Sequence, residues 1–159
     1  MRADQACAYA GAAPALVRAL KDARRRDLAP LLAGVIALRC PPPPPGAGGP
    51  ERHGHEHRAR RRGFNQAGLL ARGLGRAWDL PVAPRALARV GAEPAQRGAG
   101  RRARGRQVAH AFRAPEPPPP VCWLVDDVHT TGATLDACAR ALRAAGTQRV
   151  VAVTWARTL

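Results

Sequence analysis

The sequence predicts an α/β fold, an open and mainly parallel sheet with flanking helices. Three observations carry that prediction. Val121, Cys122, Trp123, Leu124 and Val125 form a short apolar run bounded by turn signals, the pattern of a strand buried in a parallel sheet. A helical pattern follows closely, with Leu135, Cys138, Ala139 and Leu142 on one face. After Gly146, which suits the C′ position that ends a helix, Val150–Trp155 supplies a second apolar, β-branched run. Strands alternating with helices give a parallel sheet with helices on its faces. A ligand then belongs at the carboxyl ends of the strands, where Asp126 lies.

The 159 residues predict one domain, 1–159, with enough chain to bury a core. Residues 1–12 are Ala-rich and uninformative. Pro14–Asp22 predicts a helix with Pro14 near its first turn and Leu16 and Leu20 on one side. Asp27 is placed to cap a second helix reaching about Leu38, with Leu28, Leu31, Leu32, Val35 and Leu38 at helical spacing. Arg24, Arg25 and Arg26 between the two helices read as a solvated turn. Five prolines, Pro41–Pro45, cannot form a central strand, because proline donates no ladder hydrogen bond. The stretch from Cys40 to Glu56 therefore reads as a polyproline segment and a flexible loop, part of a Pro/Gly/His-rich loop over 40–58. His53, His55 and His57 alternate there, but Arg52, Arg58 and Arg60 would repel a cation, so an accidental basic loop is the favoured reading.

Asn65 is placed to cap a third helix whose apolar face is Leu69, Leu70, Leu74 and Trp78. Asp79-Leu80-Pro81 ends it. Val82–Val90 reads as a short strand or an irregular segment. Glu93–Gln107 is rich in Gly and Arg without periodicity and reads as a mobile loop. Pro115–Pro120 is a connector inside the domain.

The chemistry concentrates around the first buried run. Two carboxylates, Asp126 and Asp127, end it. Thr130, Thr131, Gly132, Ala133 and Thr134 then make a small-residue turn into the helix. Helix-terminal and turn N–H groups hold phosphate, and threonine hydroxyls add donors. The carboxylates suit hydroxyls, or a magnesium ion carried by the ligand. A ligand with ribose hydroxyls and a 5′-phosphate satisfies both halves. Upstream, four arginines precede Gly63; guanidinium forks suit phosphate, and a basic patch at a helix start suits a diphosphate.

The stretch Val121–Leu135 resembles the phosphoribosyl-diphosphate (PRPP) binding motif of type I phosphoribosyltransferases. Arg61-Arg62-Gly63-Phe64-Asn65-Gln66 resembles the RRGFNQ signature of the ComF/GntX-like family of those enzymes. A weaker resemblance reaches Tyr9, Gly11, Leu20 and Lys21. The resemblance implies a type I phosphoribosyltransferase fold that binds PRPP with Mg2+ and transfers the phosphoribosyl group to a nucleophile, often nitrogen, releasing diphosphate. It implies that Asp126 and Asp127 hold the ribose hydroxyls and that Thr130 to Thr134 hold the 5′-phosphate. It implies that Arg61, Arg62 and Gly63 face the diphosphate, joined by Arg104 from a closing loop. Gln96, Gly98 and Arg104 match that loop's pattern, while Ala99 and Gln107 depart from it. Relatives commonly carry a cysteine-rich zinc ribbon before this region, so the chain resembles a member trimmed to its transferase domain. His129 occupies a variable motif position and reads as a loop residue, which leaves the catalytic base unassigned.

The formal net charge of +15 admits a nucleic-acid or polyanion partner. It also has a compositional origin: Lys21 is the only lysine and arginine supplies the rest. Aromatics are 4%, too few to interleave the basic surface with base-stacking platforms. The family resemblance also implies an alternative function, a non-catalytic competence or DNA-uptake protein that binds single-stranded DNA. Cys7, Cys40, Cys122 and Cys138 form no C-x-x-C pair and no disulfide framework, so a reducing cytoplasm is expected, without a membrane span and with a homodimer left open.

Overall fold

A computed structural model describes residues 2–42, 50–52, 65–83, 86–90 and 111–158. Its elements run β1 (Arg2–Ala8), α1 (Ala13–Lys21), α2 (Leu28–Arg39), β2 (Pro50–Arg52), α3 (Gln66–Trp78), β3 (Ala88–Arg89), β4 (Phe112–Arg113), β5 (Val121–His129), α4 (Ala133–Ala144) and β6 (Arg149–Arg157). The main sheet is parallel throughout, in the order β1-β6-β5-β2. Strands β3 and β4 pair separately and antiparallel. The α/β character and the parallel sheet agree with the expectation from sequence.

Each central strand is apolar because both of its faces are covered. On β5, Trp123 and Val125 pack with Leu20, Leu32, Ile36, Leu70 and Leu74, so α1, α2 and α3 share one side of the sheet. Cys122 and Leu124 face the other side, against Leu135, Cys138, Ala139 and Leu142 of α4 and Phe112 of β4. Trp78 meets Trp123 edge to face, with centroids 5.5 Å apart, and fixes the end of α3 on β5. Helix α4 ends in a Schellman arrangement: Gly146, at φ 111°, donates to the Arg143 carbonyl, and the Thr147 N–H reaches that of Leu142. The four apolar residues predicted for this helix are its buried face. At α3, the Asn65 side chain accepts from the Gly68 N–H at 3.0 Å, the predicted cap.

Four details differ from the sequence reading. Residues 2–8 form an edge strand paired with β6, although an Ala-rich run gives no strand signal. Pro50–Arg52 forms a second edge strand on β5 inside the stretch read as loop. Proline is admissible there because it opens an edge strand. The face assigned to α2 is also corrected. Ala29, Leu32, Ala33 and Ile36 are buried, whereas Leu31 is 59% and Leu38 87% exposed. This helix is apolar almost all round, so periodicity could not choose the buried face. Asp27 stands at its N-cap but makes no cap hydrogen bond; its carboxylate pairs with Arg25 at 2.7 Å.

Helices α2 and α3 touch through their smallest residues. A Cβ built on Gly73 would lie 2.5 Å from the Ala33 Cβ, while one on Gly34 would meet nothing within 4 Å. Gly73→Ala should therefore destabilise the protein by ~1–3 kcal/mol despite its better helix propensity. Gly34→Ala should stabilise it by ~0.5–1 kcal/mol. Chemical denaturation of both variants checks the pair.

Candidate functional site

Strand β5 delivers its acidic pair to opposite sides of the sheet, because consecutive strand residues alternate. Asp126 points to the α4 side. It is half-exposed, accepts the Asp127 N–H at 2.9 Å and lies close enough to Cys138 of α4 for its charge to act on that thiol. Asp127 points to the side of α1, α2 and α3. It is 7% exposed, and its carboxylate meets the Lys21 ammonium at 2.8 Å. Burial pushes the Asp127 carboxyl above the usual carboxylate range and the Asp126 charge adds to this, while Lys21 and the Val128 N–H oppose the shift.

Beyond β5 the chain turns through Gly132, at φ 75°, directly into α4. The Gly132 carbonyl accepts the Asp136 N–H and so starts the helix. A side chain at Gly132 would be strained by that φ, and its Cβ would lie 2.7 Å from His129 Nε2. The His129 ring therefore rests on the turn. Its own carbonyl accepts both the N–H and the hydroxyl of Thr158, at 3.0 and 3.3 Å, which ties the end of β5 to the end of β6. Its Nδ1 is buried without a hydrogen-bond partner among the described residues.

These elements enclose one open concavity. Its wall is Asp126, Val128, His129, the turn Thr130–Thr134 and Leu135. Thr130 and Thr131 are exposed there, and the Thr131 hydroxyl takes the Ala133 N–H at 3.4 Å. The first N–H groups of a helix have no intrahelical acceptor, so this wall presents backbone donors next to hydroxyls and one carboxylate. Such a surface can hold a phosphate ester that also carries hydroxyl groups.

Six of the residues predicted for the site, Asp126 and Thr130 to Thr134, come together in this wall. Asp127 lies outside it, on the far side of the sheet. Arg61, Arg62, Gly63 and Arg104 are outside the described residues, as are His53, His55 and His57. From the RRGFNQ stretch, Asn65 and Gln66 are described. Sequence reasoning missed two contributors. His129 was read as a bystander, although it lines the wall. Lys21 was noted without a role; a lone lysine in an arginine-rich chain was the signal available. The thiols do not join the wall: Cys122 and Cys138 are buried and Cys40 is pushed up to about 11 by burial.

The chain is 37% identical over 94 residues to competence protein F of Haemophilus influenzae. The match covers 57% of this chain, which in turn spans 41% of that relative's length. No family model matches the chain. The similarity supports a ComF-like relationship.

Two measurements follow from the turn and the acidic pair. Gly132→Ala should destabilise the fold by ~1–2 kcal/mol, and His129→Ala in the same chain should leave much of that loss, because φ strain outlasts removal of the ring. Asp126→Asn removes the like charge beside Asp127. A raised native carboxyl makes a contribution to stability that is present at acid pH and lost as pH rises through its native value. Removing one cause of that rise should stabilise the variant at pH 7, and the gain should shrink as pH falls and Asp127 takes up its proton. Denaturation midpoints across pH check it.

Proposed function

We propose that this chain binds PRPP with Mg2+ in the wall formed by Asp126 and Thr130–Thr134 and acts as a phosphoribosyltransferase-like protein. The observation that carries this reading is the shared concavity. Phosphate donors at the start of α4 and a carboxylate suited to hydroxyls line the same opening. The threonine hydroxyls and the backbone N–H groups of the turn take the 5′-phosphate. Asp126 accepts from the ribose hydroxyls.

Magnesium fits as an ion carried by the ligand. It is commonly held by one or two carboxylates together with the phosphates of its ligand, and Asp126 offers one. Among the described residues no group of three or more His, Cys, Asp or Glu could hold a metal ion alone. When bound, the ion neutralises charge on the diphosphate. The reaction class is displacement of diphosphate from the anomeric carbon by a nucleophile, whose identity an acceptor screen would establish because fold does not assign it. Its charge separation calls for neutralisation of the leaving group, the role proposed for Arg61, Arg62, Gly63 and Arg104.

A second reading rests on two observations, the net charge of +15 and the similarity to competence protein F. It is a competence-related protein that binds single-stranded DNA through its basic surface. No helix among the described residues is long and apolar enough to cross a membrane.

Calorimetric titration of PRPP, with and without magnesium, separates the readings. Magnesium-dependent binding that Asp126→Asn weakens by about a hundredfold supports the first. A folded chain that ignores PRPP but binds DNA with a steep salt dependence supports the second.

A further inference from the structure

We infer that Asp127 does not touch the ligand of the proposed site and that Lys21 and Asp127 together form a strut that positions the turn. This inference rests on the reading of Asp126 and Thr130–Thr134 as a PRPP wall, and it departs from the expectation that both carboxylates hold ribose hydroxyls.

The argument begins with the sheet. Asp126 lies on the face toward α4 and in the wall of the concavity, whereas Asp127 lies on the opposite face. A carboxylate 7% exposed and already engaged has little capacity to meet a ligand across the sheet. What it engages is informative. One contact is Lys21 Nζ at 2.8 Å, from the last turn of α1, where a cation also favours the helix C-terminus. The pair therefore ties the strand, two residues before His129, to a helix packed on the core. The His129 carbonyl is held from the other side by Thr158. The turn leaves the sheet between these two fixings.

Composition adds a second observation. Lys21 is the only lysine in a chain whose other permanently charged basic side chains are all arginine. An ammonium is a compact point charge on a flexible stem, whereas a guanidinium is a planar fork that asks for several acceptors. A nearly buried single carboxylate suits the former. Removing one partner of such a pair leaves the other charge uncompensated, so the strut is sensitive to either end.

The test compares Lys21→Gln, Asp127→Asn, their double variant and Asp126→Asn. It reads PRPP–Mg affinity at a temperature well below every unfolding midpoint, and amide hydrogen exchange of Val128 and Thr158 without ligand. The strut predicts that Lys21→Gln and Asp127→Asn each weaken PRPP by about tenfold, and that the double variant is no worse than either. It also predicts about tenfold faster exchange at the two amides in both variants, and no such acceleration in Asp126→Asn. If Asp127→Asn loses as much affinity as Asp126→Asn while Lys21→Gln binds normally, Asp127 is a ligand contact and the inference is overturned. It is equally overturned if both strut variants unfold earlier yet bind as the wild type does, since the pair would then serve only the fold. Should wild type fail to bind PRPP, the reading of the site fails by itself and the exchange arm decides the strut: faster exchange upholds it and unchanged exchange overturns it. If Lys21→Gln does not fold, the isosteric Asp127→Asn variant carries both readouts.

Discussion

Strand β5 is covered on both faces, and most of the structure is a consequence of that. Its odd residues, Trp123 and Val125, complete the core under α1, α2 and α3. Its even residues, Cys122 and Leu124, complete the core under α4. A shift of one residue would exchange the two sets, so the register against β6 is strongly specified. The same alternation continues into the acidic pair. The two adjacent carboxylates are therefore carried to different environments by packing that occurs several residues earlier.

The site is the point where this strand stops being buried. Asp126 emerges at the carboxyl end of the sheet, and the left-handed Gly132 lets the short turn after β5 lead straight into α4. Hydroxyls, orphan helix N–H groups and a carboxylate are thereby brought to one opening. The cost is electrostatic. Asp127 is held close to Asp126 in a poorly solvated position, and Lys21 only partly offsets burial and like charge. An unfavourable charge is thereby kept beside the opening.

Much of this was legible from the residues themselves. The strand, the Thr/Gly turn and the apolar face of α4 were readable because local pattern and burial agree there. The cap at Asn65 and the stop at Gly146 were readable because each depends on chemistry confined to a few neighbouring residues. Strand β1 was not: alanine-rich sequence has no strand preference, and Arg2–Ala8 is held by pairing with β6. The buried face of α2 was misjudged because Leu31 and Leu38 are as apolar as Leu32 and Ile36. For an all-apolar helix, only its neighbours, the sheet and α3 with Gly73 against Ala33, decide which side is inside.

The sequence by itself determined where the chemistry lies: the order of strand, carboxylates, turn and helix is local, and its hydrogen-bonding groups are fixed by residue type. Tertiary structure decided how that chemistry is divided. Which carboxylate meets the opening, which meets Lys21, and that His129 lies against Gly132 all depend on residues far apart in the chain or on the path of the turn between two packed elements. Side-chain identity is written in one dimension, whereas the face on which a side chain emerges is set by the layers that pack around its strand.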